Sequence, residues 1–355
     1  MNKIRKMFPG SNTSNGPFNY FRYIGPKDVN RIYCLKGGPG VGKSSLMKKI
    51  AKHFEELNYT IELHYCPSDP SSLDGLLIKE LKVVLLDGTA PHIVDPKIPG
   101  AIDEIINLGE YWNVNKLESN KENIINADKE IGYHFKRAYK FLKASESIYT
   151  SIEEKNQELL KIGELNLFVD EFIMSLFENS KANGKYIEER HMFGRAITPV
   201  GIVDHTDSII SSMNKIYYLK GDIGTGKTDF LNSVCKEAIK KGMEVELFHY
   251  PLVPKKLETI IIKDLDVAIT TSDLFEREEN IDFDVYLDKD GLKKYKENIE
   301  FDKKIFEELI SYAIDELSKA KSEHDVIESY YVPNMNFDKI DVLKNKIIED
   351  IKKYK

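Results

Sequence analysis

The stretch that decides the fold is GGPGVGKS at residues 37–44, and a second stretch of the same kind, GDIGTGKT, stands at residues 221–228. Both fit the pattern G-x-x-x-x-G-K-[ST] in full. In this pattern the glycines let the backbone curl so that its N–H groups point at phosphate oxygens, and the lysine reaches the β- and γ-phosphates. The chain is therefore expected to bind a nucleoside triphosphate at two P-loops.

The pattern also assigns individual roles. Lys43 is expected to be catalytic, and the hydroxyls of Ser44 and Thr228 are expected to bind Mg²⁺. The predicted nucleotide-binding residues are Gly37, Gly38, Pro39, Gly40, Val41, Gly42, Lys43, Ser44, Ser45, Gly221, Asp222, Ile223, Gly224, Thr225, Gly226, Lys227, Thr228 and Asp229.

The flanks of both loops agree with this interpretation. Residues 31–36 and 215–220 are short runs rich in β-branched and aromatic residues, which indicates buried strands. After each loop, apolar residues recur at helical spacing. They are Leu46, Met47, Ile50, Ala51 and Phe54 in the first copy and Phe230, Leu231, Val234, Cys235 and Ala238 in the second. A P-loop requires a strand before the glycine loop and a helix after it, and both repeats have them. This context disfavours the alternative, a glycine-rich turn that fits the pattern by accident.

The chain contains an internal duplication. Residues 30–89 align without a gap to residues 214–273, and 19 of the 60 positions are identical. Four of these identities lie inside the loop pattern, so 19 − 4 = 15 lie outside it. Upstream, Phe8, Thr13 and Gly16 match Phe193, Thr198 and Gly201. Downstream, the alignment predicts that Ile102, Asp103 and Leu108 match Ile281, Asp282 and Leu287.

These matches divide the chain of 355 residues into two units, 1–185 and 186–355, with the polar stretch 178–185 as the boundary. Each unit ends in a long helical tail with one apolar stripe. The stripes are Ile131, Phe135, Ala138, Leu142, Tyr149 and Ile152 in the first unit and Ile305, Leu309, Ala313, Leu317, Ala320 and Ile327 in the second. Such a stripe predicts a face that packs on a neighbouring element, with a free coiled coil as the alternative.

The predicted fold class is α/β. Each unit reads as strand, P-loop, helix, strand (60–66 or 244–250), a proline-containing connection and a further strand (81–86 or 265–270). This order predicts a mostly parallel sheet with helices on both faces, and a ligand at the carboxyl ends of the strands.

Composition limits the cellular compartment and the classes of partner. The net charge of −7 gives no bulk electrostatic reason to bind nucleic acid, and no apolar run approaches membrane-spanning length. The scattered Cys34, Cys66 and Cys235 suit a reducing compartment and favour neither a disulfide framework nor a zinc site. The protein is therefore predicted to be cytoplasmic, without a membrane partner. Nucleic acid is disfavoured as a partner, with a local basic groove as the open alternative, and a protein partner is possible.

Mg²⁺ at a P-loop usually takes a second anchor from an acid at the end of an apolar strand. Asp87 ends the run Lys82-Val-Val-Leu-Leu-Asp87 and is the best candidate, although Asp-Gly is also common in ordinary turns. The matching position in the second unit is Thr271, so its acid is absent or displaced to Asp273. We therefore expect the first site to hydrolyse nucleotide and the second mainly to bind it.

Other side chains are weaker candidates. His92 and Asp69 follow strand ends on the expected ligand side, and His92 is a candidate catalytic residue unless it is a plain surface histidine. Arg190 and Arg195 precede the second unit's loop and either stabilise phosphoryl charge across an interface or form simple ion pairs. Thr13 and Thr198 either help to form each nucleotide pocket or cap a turn.

The whole chain resembles a family of uncharacterised bacterial tandem P-loop ATPases. The resemblance lies in the two P-loops and in five further segments, which are 10–14, 87–92, 95–100, 190–191 and 196–199. It implies an ATP-binding protein with ATPase-like folds and supplies no substrate. In the second unit Phe275 and Glu276 stand opposite Pro91 and His92, which is a departure from the pattern of the first.

Three functions follow from these observations. The first is an ATPase in which Lys43, Ser44 and Asp87 hold Mg·ATP. The second is a phosphotransferase that acts on a nucleotide or another small molecule, with Asp69 or His92 near the acceptor hydroxyl. The third is a non-catalytic nucleotide sensor or scaffold. ATP is favoured over GTP because the guanine-reading pattern N-K-x-D follows no suitable strand.

Overall fold

The computed structural model describes residues 3–89, 93–184 and 187–355. Within them, the first repeat forms β1 (Ile4–Met7), β2 (Gly10–Thr13), β3 (Gly16–Asn19), β4 (Arg31–Lys36), α1 (Lys43–Glu56), β5 (Ile61–Tyr65), β6 (Leu73–Ile78), β7 (Val83–Asp87), β8 (Asp103–Asn107), α2 (Val114–Glu118), α3 (Lys121–Glu158) and α4 (Ile162–Leu176). The second repeat forms β9 (Arg190–Met192), β10 (Arg195–Thr198), β11 (Gly201–Asp204), α5 (Thr206–Ile210), β12 (Lys215–Lys220), α6 (Lys227–Lys240), β13 (Val245–His249), β14 (Leu257–Ile262), β15 (Val267–Thr270), β16 (Glu279–Asp282), α7 (Lys289–Tyr331) and α8 (Phe337–Ile351).

Each repeat contributes one six-stranded sheet from these residues. The strand order is β1-β5-β6-β7-β4-β8 in sheet 1 and β9-β13-β14-β15-β12-β16 in sheet 2. β6 and β14 run antiparallel to both of their neighbours, and the other neighbouring strands are parallel. The predicted α/β class with two mostly parallel sheets is therefore confirmed.

The strands β6 and β14 lie where the sequence predicted only a connection. All six residues of each strand are buried, so neither strand shows the alternation of apolar and polar residues that marks a half-exposed strand. Each forms a tight antiparallel pair with the strand before it, and this pair brings new side chains to the end of the sheet where the glycine loops lie.

Helices α1 and α8 cover one face of sheet 1, and helices α4 and α6 cover one face of sheet 2. Alternate residues of β7 separate the two faces: Val83 and Leu85 pack under α1, whereas Val84 and Leu86 point the other way. The second face of sheet 1 shares one buried cluster with the second face of sheet 2, including Ile216 and Ile261. Ile209 and Ile210 of the short helix α5 also lie in this cluster. The expectation of helices on both faces is therefore met in part, because the two sheets also bury these faces against each other.

The two cores exchange helices. Ile340, Ile347 and Ile351 of α8 are buried in the core of sheet 1, beside α1. Conversely, Leu165 of α4 is buried in the core of sheet 2, beside α6. The division at residue 185 stays a prediction about the sequence repeat, since each hydrophobic core takes its last helix from the other repeat.

The predicted helical tails pack on each other. His134 Nδ1 of α3 lies 2.8 Å from Glu316 Oε2 of α7, and further along, Ser151 Oγ donates to Asp302 Oδ2 at 3.3 Å, so the two helices are antiparallel. Their apolar stripes meet in a cluster that includes Leu142. The prediction that each stripe packs on a neighbouring element is confirmed. Although α3 and α7 have 38 and 43 residues, no helix in the described part of the chain is long and apolar enough to cross a membrane.

Strand pairing corrects the downstream alignment of the repeats. Lys36 lies beside Asn107, and its equivalent Lys220 lies beside Asp282. Asn107 therefore matches Asp282, at an offset of 282 − 107 = 175. The predicted matches of Ile102, Asp103 and Leu108 with Ile281, Asp282 and Leu287 are wrong, and they hid the equivalence of Gly109 and Asp284.

A buried ion cluster joins the two sheets at their edges. It contains Arg5 and Glu62 from the first repeat and their equivalents Arg190 and Glu246 from the second. Arg5 Nη1 lies 2.8 Å from Glu62 Oε1, and Arg190 Nη1 lies 3.1 Å from Glu246 Oε1. Burial alone would raise the pKa of Glu62, but the charges of Arg190 and Arg5 outweigh it and hold that pKa well below its ordinary value.

Candidate functional site

Loop 1 (residues 37–44) and loop 2 (residues 221–228) have the same local geometry. Loop 1 connects the end of β4 to the start of α1, and loop 2 connects β12 to α6. Gly42 and Gly226 precede the helices with φ angles of 94° and 93°, in the left-handed region that glycine enters at little cost. The predicted strand, loop and helix are thus present in both repeats.

The two loop lysines fold back over their own loops. Lys43 Nζ donates to the carbonyls of Gly37 and Gly38, at 2.7 and 2.9 Å. Lys227 Nζ donates in the same way at the start of loop 2, at 2.7 Å to the carbonyl of Asp222. Each ammonium group therefore lies at the mouth of its loop and is held by main-chain carbonyls that an anion can replace.

The end of β7 brings Asp87 to Lys43. Asp87 Oδ2 lies 3.5 Å from Lys43 Nζ, and Asp87 Oδ1 accepts a hydrogen bond from the main-chain N–H of Thr89 at 2.9 Å. The Thr89 hydroxyl donates to the carbonyl of Gly37 at 3.0 Å, which ties the strand end to loop 1. The predicted catalytic pair, Lys43 and Asp87, is thus brought together.

The second repeat has a different arrangement at the same strand end. Thr271 occupies the position of Asp87. Asp273 matches Thr89, and its Oδ1 accepts a hydrogen bond from the Tyr218 hydroxyl at 2.7 Å. The carboxylate of Asp273 is thus anchored to β12 through Tyr218. Asp273 lies two residues after Thr271, the position that matches Asp87.

The hydroxyls predicted to bind metal contact the missed strands. Ser44 Oγ accepts a hydrogen bond from the main-chain N–H of Leu73 at 3.0 Å, at the start of β6. Thr228 Oγ1 donates to the carbonyl of Leu257 at 3.5 Å, at the start of β14. The Ser44 proton is therefore free to turn away from the strand, whereas that of Thr228 is directed toward it.

Sequence reasoning missed Asp74, the second residue of β6. It is 5% exposed, and its Oδ2 has no hydrogen-bond partner among the residues that the structure describes. Burial, and then the negative charge of Asp87, raise the pKa of Asp74 to about 7. A lone acid inside an apolar run was the available signal, since a buried carboxyl group normally has a partner.

In the second repeat the same position is Glu258, and this carboxylate has a partner. Glu258 forms an ion pair with Arg195 of β10. The residue equivalent to Arg195 is Gly10 (195 − 10 = 185), which has no side chain to offer Asp74. The two repeats therefore place a paired acid beside loop 2 and an unpaired acid beside loop 1.

A cavity of about 440 Å³ lies at loop 2. It is lined by the whole of loop 2, by Arg195 and Asp273 from the second repeat, and by Tyr149 and Glu153 from α3 of the first repeat. Its volume falls in the range of small-molecule sites. Arg195, a candidate for stabilising phosphoryl charge, thus lies in this cavity. Its guanidinium group is already engaged in the ion pair with Glu258.

Two carboxylates accept hydrogen bonds from main-chain N–H groups of loop 2. Asp284 Oδ1 accepts from the N–H of Asp222 at 2.8 Å, and Asp222 Oδ1 accepts from the N–H of Ile223 at 2.7 Å. Lys303 of α7 pairs with Asp222. In loop 1 the equivalents of Asp222 and Asp284 are glycines, so its amides face no such carboxylate.

The pKa of Lys227 depends on its burial and on the charged side chains around loop 2. Burial lowers its pKa to about 8, although Asp284, Asp222 and Asp273 act in the opposite direction. Three carboxylates thus lie close enough to influence the one ammonium group of loop 2. Lys303, which pairs with Asp222, acts on this pKa in the same direction as burial, so loop 2 lies among charges of both signs.

The remaining candidates have other surroundings. His92 lies outside the described residues. Asp69 accepts hydrogen bonds from the hydroxyls of Ser71 and Ser72, each at 2.7 Å. Arg190 belongs to the buried ion cluster, where it forms structural ion pairs.

The two lead-in threonines cap turns. Thr13 Oγ1 donates to the carbonyl of Gly16, and Thr198 Oγ1 donates to the carbonyl of Gly201, both at 2.7 Å. These bonds close the β2–β3 and β10–β11 hairpins. Of the two roles considered for these residues, the contacts favour the turn cap.

Three side chains on α7 lie close enough together to share a cation. Ligand atoms of His324, Asp325 and Glu328 are all within 4.8 Å of one another. Asp325 is exposed, however, and is already paired with Lys321. We assign no metal to this group, because exposed acidic groups are common without one.

No protein-family model, curated protein or solved structure matches this chain. The resemblance to tandem P-loop ATPases therefore stays a prediction.

Proposed function

We propose that the chain is a tandem P-loop NTPase that binds ATP with Mg²⁺ at both loops and hydrolyses it at loop 1. One observation carries the proposal: the ammonium group of Lys43 lies at the mouth of loop 1 and 3.5 Å from the carboxylate of Asp87. A cation in a curled glycine loop beside an acid at a strand end is the arrangement that Mg·nucleotide binding requires.

The donor set at loop 1 suits Mg²⁺. This ion prefers oxygen ligands and usually binds through one or two carboxylates together with phosphates and water. Ser44 and Asp87 would hold it, and the unpartnered oxygen of Asp74 adds a buried acceptor on the same side. Held by these residues, Mg²⁺ would supply positive charge to offset the negative charge that develops during phosphoryl transfer.

The chain's own residues have the other tasks. Lys43 would exchange the carbonyls of Gly37 and Gly38 for phosphate oxygens, and the amides of loop 1 would donate to the same phosphates. Asp74 would orient a water molecule by accepting a hydrogen bond from it, since its Oδ2 has no competing donor in the described part of the chain.

Loop 2 is proposed to bind nucleotide more weakly and without turnover. Two features support this. Thr271 cannot supply the carboxylate that Asp87 supplies in the first repeat. In addition, Asp222 and Asp284 already accept hydrogen bonds from loop amides, so a triphosphate has to displace like charges.

The test is phosphate release from Mg·ATP by purified protein without an acceptor. We expect Lys43→Ala to abolish release and the matched variant Lys227→Ala to retain most of it, because only loop 1 has the adjacent acid. Binding of ATP without release under any condition would indicate a sensor. Turnover only after addition of a small-molecule acceptor would indicate a phosphotransferase. No binding of any purine triphosphate would refute the proposal.

A further inference from the structure

Each repeat sends a helical arm to the glycine loop of the other. The first arm is α3 with α4, and the second arm is α7 with α8. α3 begins at Lys121, shortly after β8 of sheet 1, and runs about 57 Å, at 1.5 Å per residue for its 38 residues, toward loop 2. α7 begins at Lys289, shortly after β16 of sheet 2, and runs back toward loop 1.

The end of the second arm packs on loop 1. A Cβ atom at Gly38 would lie 2.8 Å from Cε1 of Tyr331, and one at Gly40 would lie 2.8 Å from Cγ2 of Val332 and 3.3 Å from Cβ of Glu328. The Tyr331 ring also meets the Trp112 ring edge-on at 5.7 Å between centroids. The backbone of loop 1 therefore touches the other repeat without any intervening side chain.

The end of the first arm packs on loop 2 in the equivalent way. A Cβ atom at Gly224 would lie 2.7 Å from Cα of Glu153, and one at Gly226 would lie 2.7 Å from Cδ2 of Leu165. Asn156 is fully buried, and its Nδ2 donates to the carbonyl of Ile223 in loop 2 at 2.7 Å. Its Oδ1 has no hydrogen-bond partner in the ranges that the structure describes.

The turn of each arm is also fixed to the other repeat. Leu160, between α3 and α4, forms an isolated β-bridge with Leu287, and Met335, between α7 and α8, forms one with Trp112. Leu160 and Met335 are thus equivalent, at an offset of 335 − 160 = 175. The same offset makes Asn156 the equivalent of Tyr331.

The hydrogen bond from Asn156 sets the direction of a loop amide. In a trans peptide the C=O and N–H groups point in opposite directions. Because Asn156 holds the Ile223 carbonyl outward, the N–H of Gly224 points to the other side, toward the inside of loop 2. At loop 1 the Tyr331 ring takes the equivalent place against the outer surface of Gly38.

We propose that Tyr331 and Asn156 are positioning residues that each repeat supplies to the loop of the other repeat. Neither nucleotide site is then complete within its own repeat. Tyr331 holds loop 1, and Asn156 holds loop 2, in the form whose amides face the phosphates. The inference rests on the proposed nucleotide binding at the two loops. It adds that the affinity of each loop depends on a residue of the opposite repeat.

The test measures binding of a fluorescent Mg·ATP analogue in two backgrounds. Lys227→Ala leaves loop 1 as the competent loop, and Lys43→Ala leaves loop 2. Tyr331→Ala should raise the Kd about tenfold in the first background and by less than about twofold in the second. Asn156→Asp, which keeps the size of the side chain but loses the donor, should show the reverse pattern, with a rise of about three- to tenfold.

Matched controls separate positioning from general packing. Tyr312 lies on the same helix as Tyr331 and is 44% exposed, and Asn126 is an exposed residue of α3. Tyr312→Ala and Asn126→Asp should leave both affinities unchanged. Tyr331→Phe keeps the ring and should restore the affinity of loop 1.

A double-mutant cycle tests the contact without relying on the stability of one variant. Gly38→Ala adds the Cβ atom that meets the Tyr331 ring, so it should weaken binding at loop 1. In the double variant Gly38→Ala with Tyr331→Ala, the two losses should be clearly less than additive, because the clash is gone.

Two results would overturn the inference while nucleotide binding stands. One is an equal change at both loops for Tyr331→Ala or Asn156→Asp, and the other is strict additivity in the cycle. If the unmodified protein binds no nucleotide, the proposed function itself fails, which the first titration shows directly.

Discussion

Asp74 and Glu258 occupy the same position in the two sheets, yet only Glu258 has an arginine partner. The pKa of Asp74 is raised to about 7, above the ordinary value of about 3.9, so its folded form favours the proton. Such a group lowers the free energy of unfolding, and this loss grows as the pH rises from about 4 to 7. Burial raises the pKa of Glu258 as well, although Arg195 opposes this, so the two acids differ in the partner that neutralisation would leave unpaired.

We expect Asp74→Asn to raise the free energy of unfolding at pH 8 by about 2 kcal/mol, because it removes an unpaired buried carboxylate. The matched variant Glu258→Gln should lower it by about 2 kcal/mol, because it leaves Arg195 without its partner. Urea unfolding at pH 8 and pH 5 measures both. A gain for Asp74→Asn that does not shrink at pH 5 would contradict the assignment.

Asp87→Asn should reduce the rate of ATP hydrolysis by about 100-fold or more, since it removes the proposed anchor for Mg²⁺ beside Lys43. The matched change at the other strand end, Asp273→Asn, should leave the rate nearly unchanged, because Asp273 is tied to Tyr218. Steady-state phosphate release measures both rates. Equal losses in the two variants would show that loop 1 is not the sole site of turnover.

Asp284→Gly should strengthen nucleotide binding at loop 2 by about tenfold, measured by titration in the Lys43→Ala background. The reason is that glycine, the residue of the first repeat at this position, frees the Asp222 amide and removes a negative charge from the phosphate side. Asp290→Gly, a change at an exposed residue of α7, is the control. Weaker binding in Asp284→Gly would mean that Asp284 holds loop 2 in its competent form.

Acidification should destabilise the fold between about pH 6.5 and 3. His249 is buried, and its Nε2 lies 2.8 Å from Nδ1 of His191. Burial, and then the neighbouring His191, lower the pKa of His249 to about 3. The folded state thus favours the neutral ring, so stability is complete above the ordinary pKa of about 6.5 and falls by about 1.4 kcal/mol per pH unit below it.

The check is urea unfolding at pH 7.5, 6.5 and 5.5. His249→Gln should flatten the dependence on pH, because it removes the group that takes up the proton. An unchanged slope in this variant would assign the effect to other histidines, such as His64, whose burial also lowers its pKa to about 3.

Arg190→Ala should destabilise the protein by about 3–5 kcal/mol, because it leaves the buried Glu62 and Glu246 with too few cations. The control is Arg277→Ala, at an arginine outside the buried ion cluster. Thermal unfolding measures the loss. A shift of the midpoint no larger than that of the control would show that the ion cluster contributes little.

The sequence predicted the parts of the fold that local pattern determines. The strands before both loops follow from runs of β-branched and aromatic residues, and the helices after them and the striped tails follow from helical spacing and glycine position. The strand β6 was missed because no period marks its fully buried residues and because Asp74 and Gly75 interrupt the kind of continuous apolar run that revealed β7. With β6 missed, Asp74 could not be placed beside Lys43.

The partners of each tail could not be read from the sequence. The stripe that includes Leu142 shows that a face is buried, but it carries no information about which helix covers it. Likewise, Asn156 and Tyr331 are equivalent positions with unlike residues, so the repeat does not point to them. Contacts between residues far apart in the chain depend on the whole topology.

The exchange of α4 and α8 between cores bears on how the protein is made. A ribosome completes β8 at Asn107 but reaches α8 only at Phe337, 337 − 107 = 230 residues later. Until then the apolar surface of sheet 1 that α8 covers remains open. Synthesis usually lets an early domain fold before a late one emerges, but here the core of sheet 1 has to wait for a helix that is translated 230 residues after its last strand. Nascent chains stalled before Phe337 should thus remain bound to chaperones.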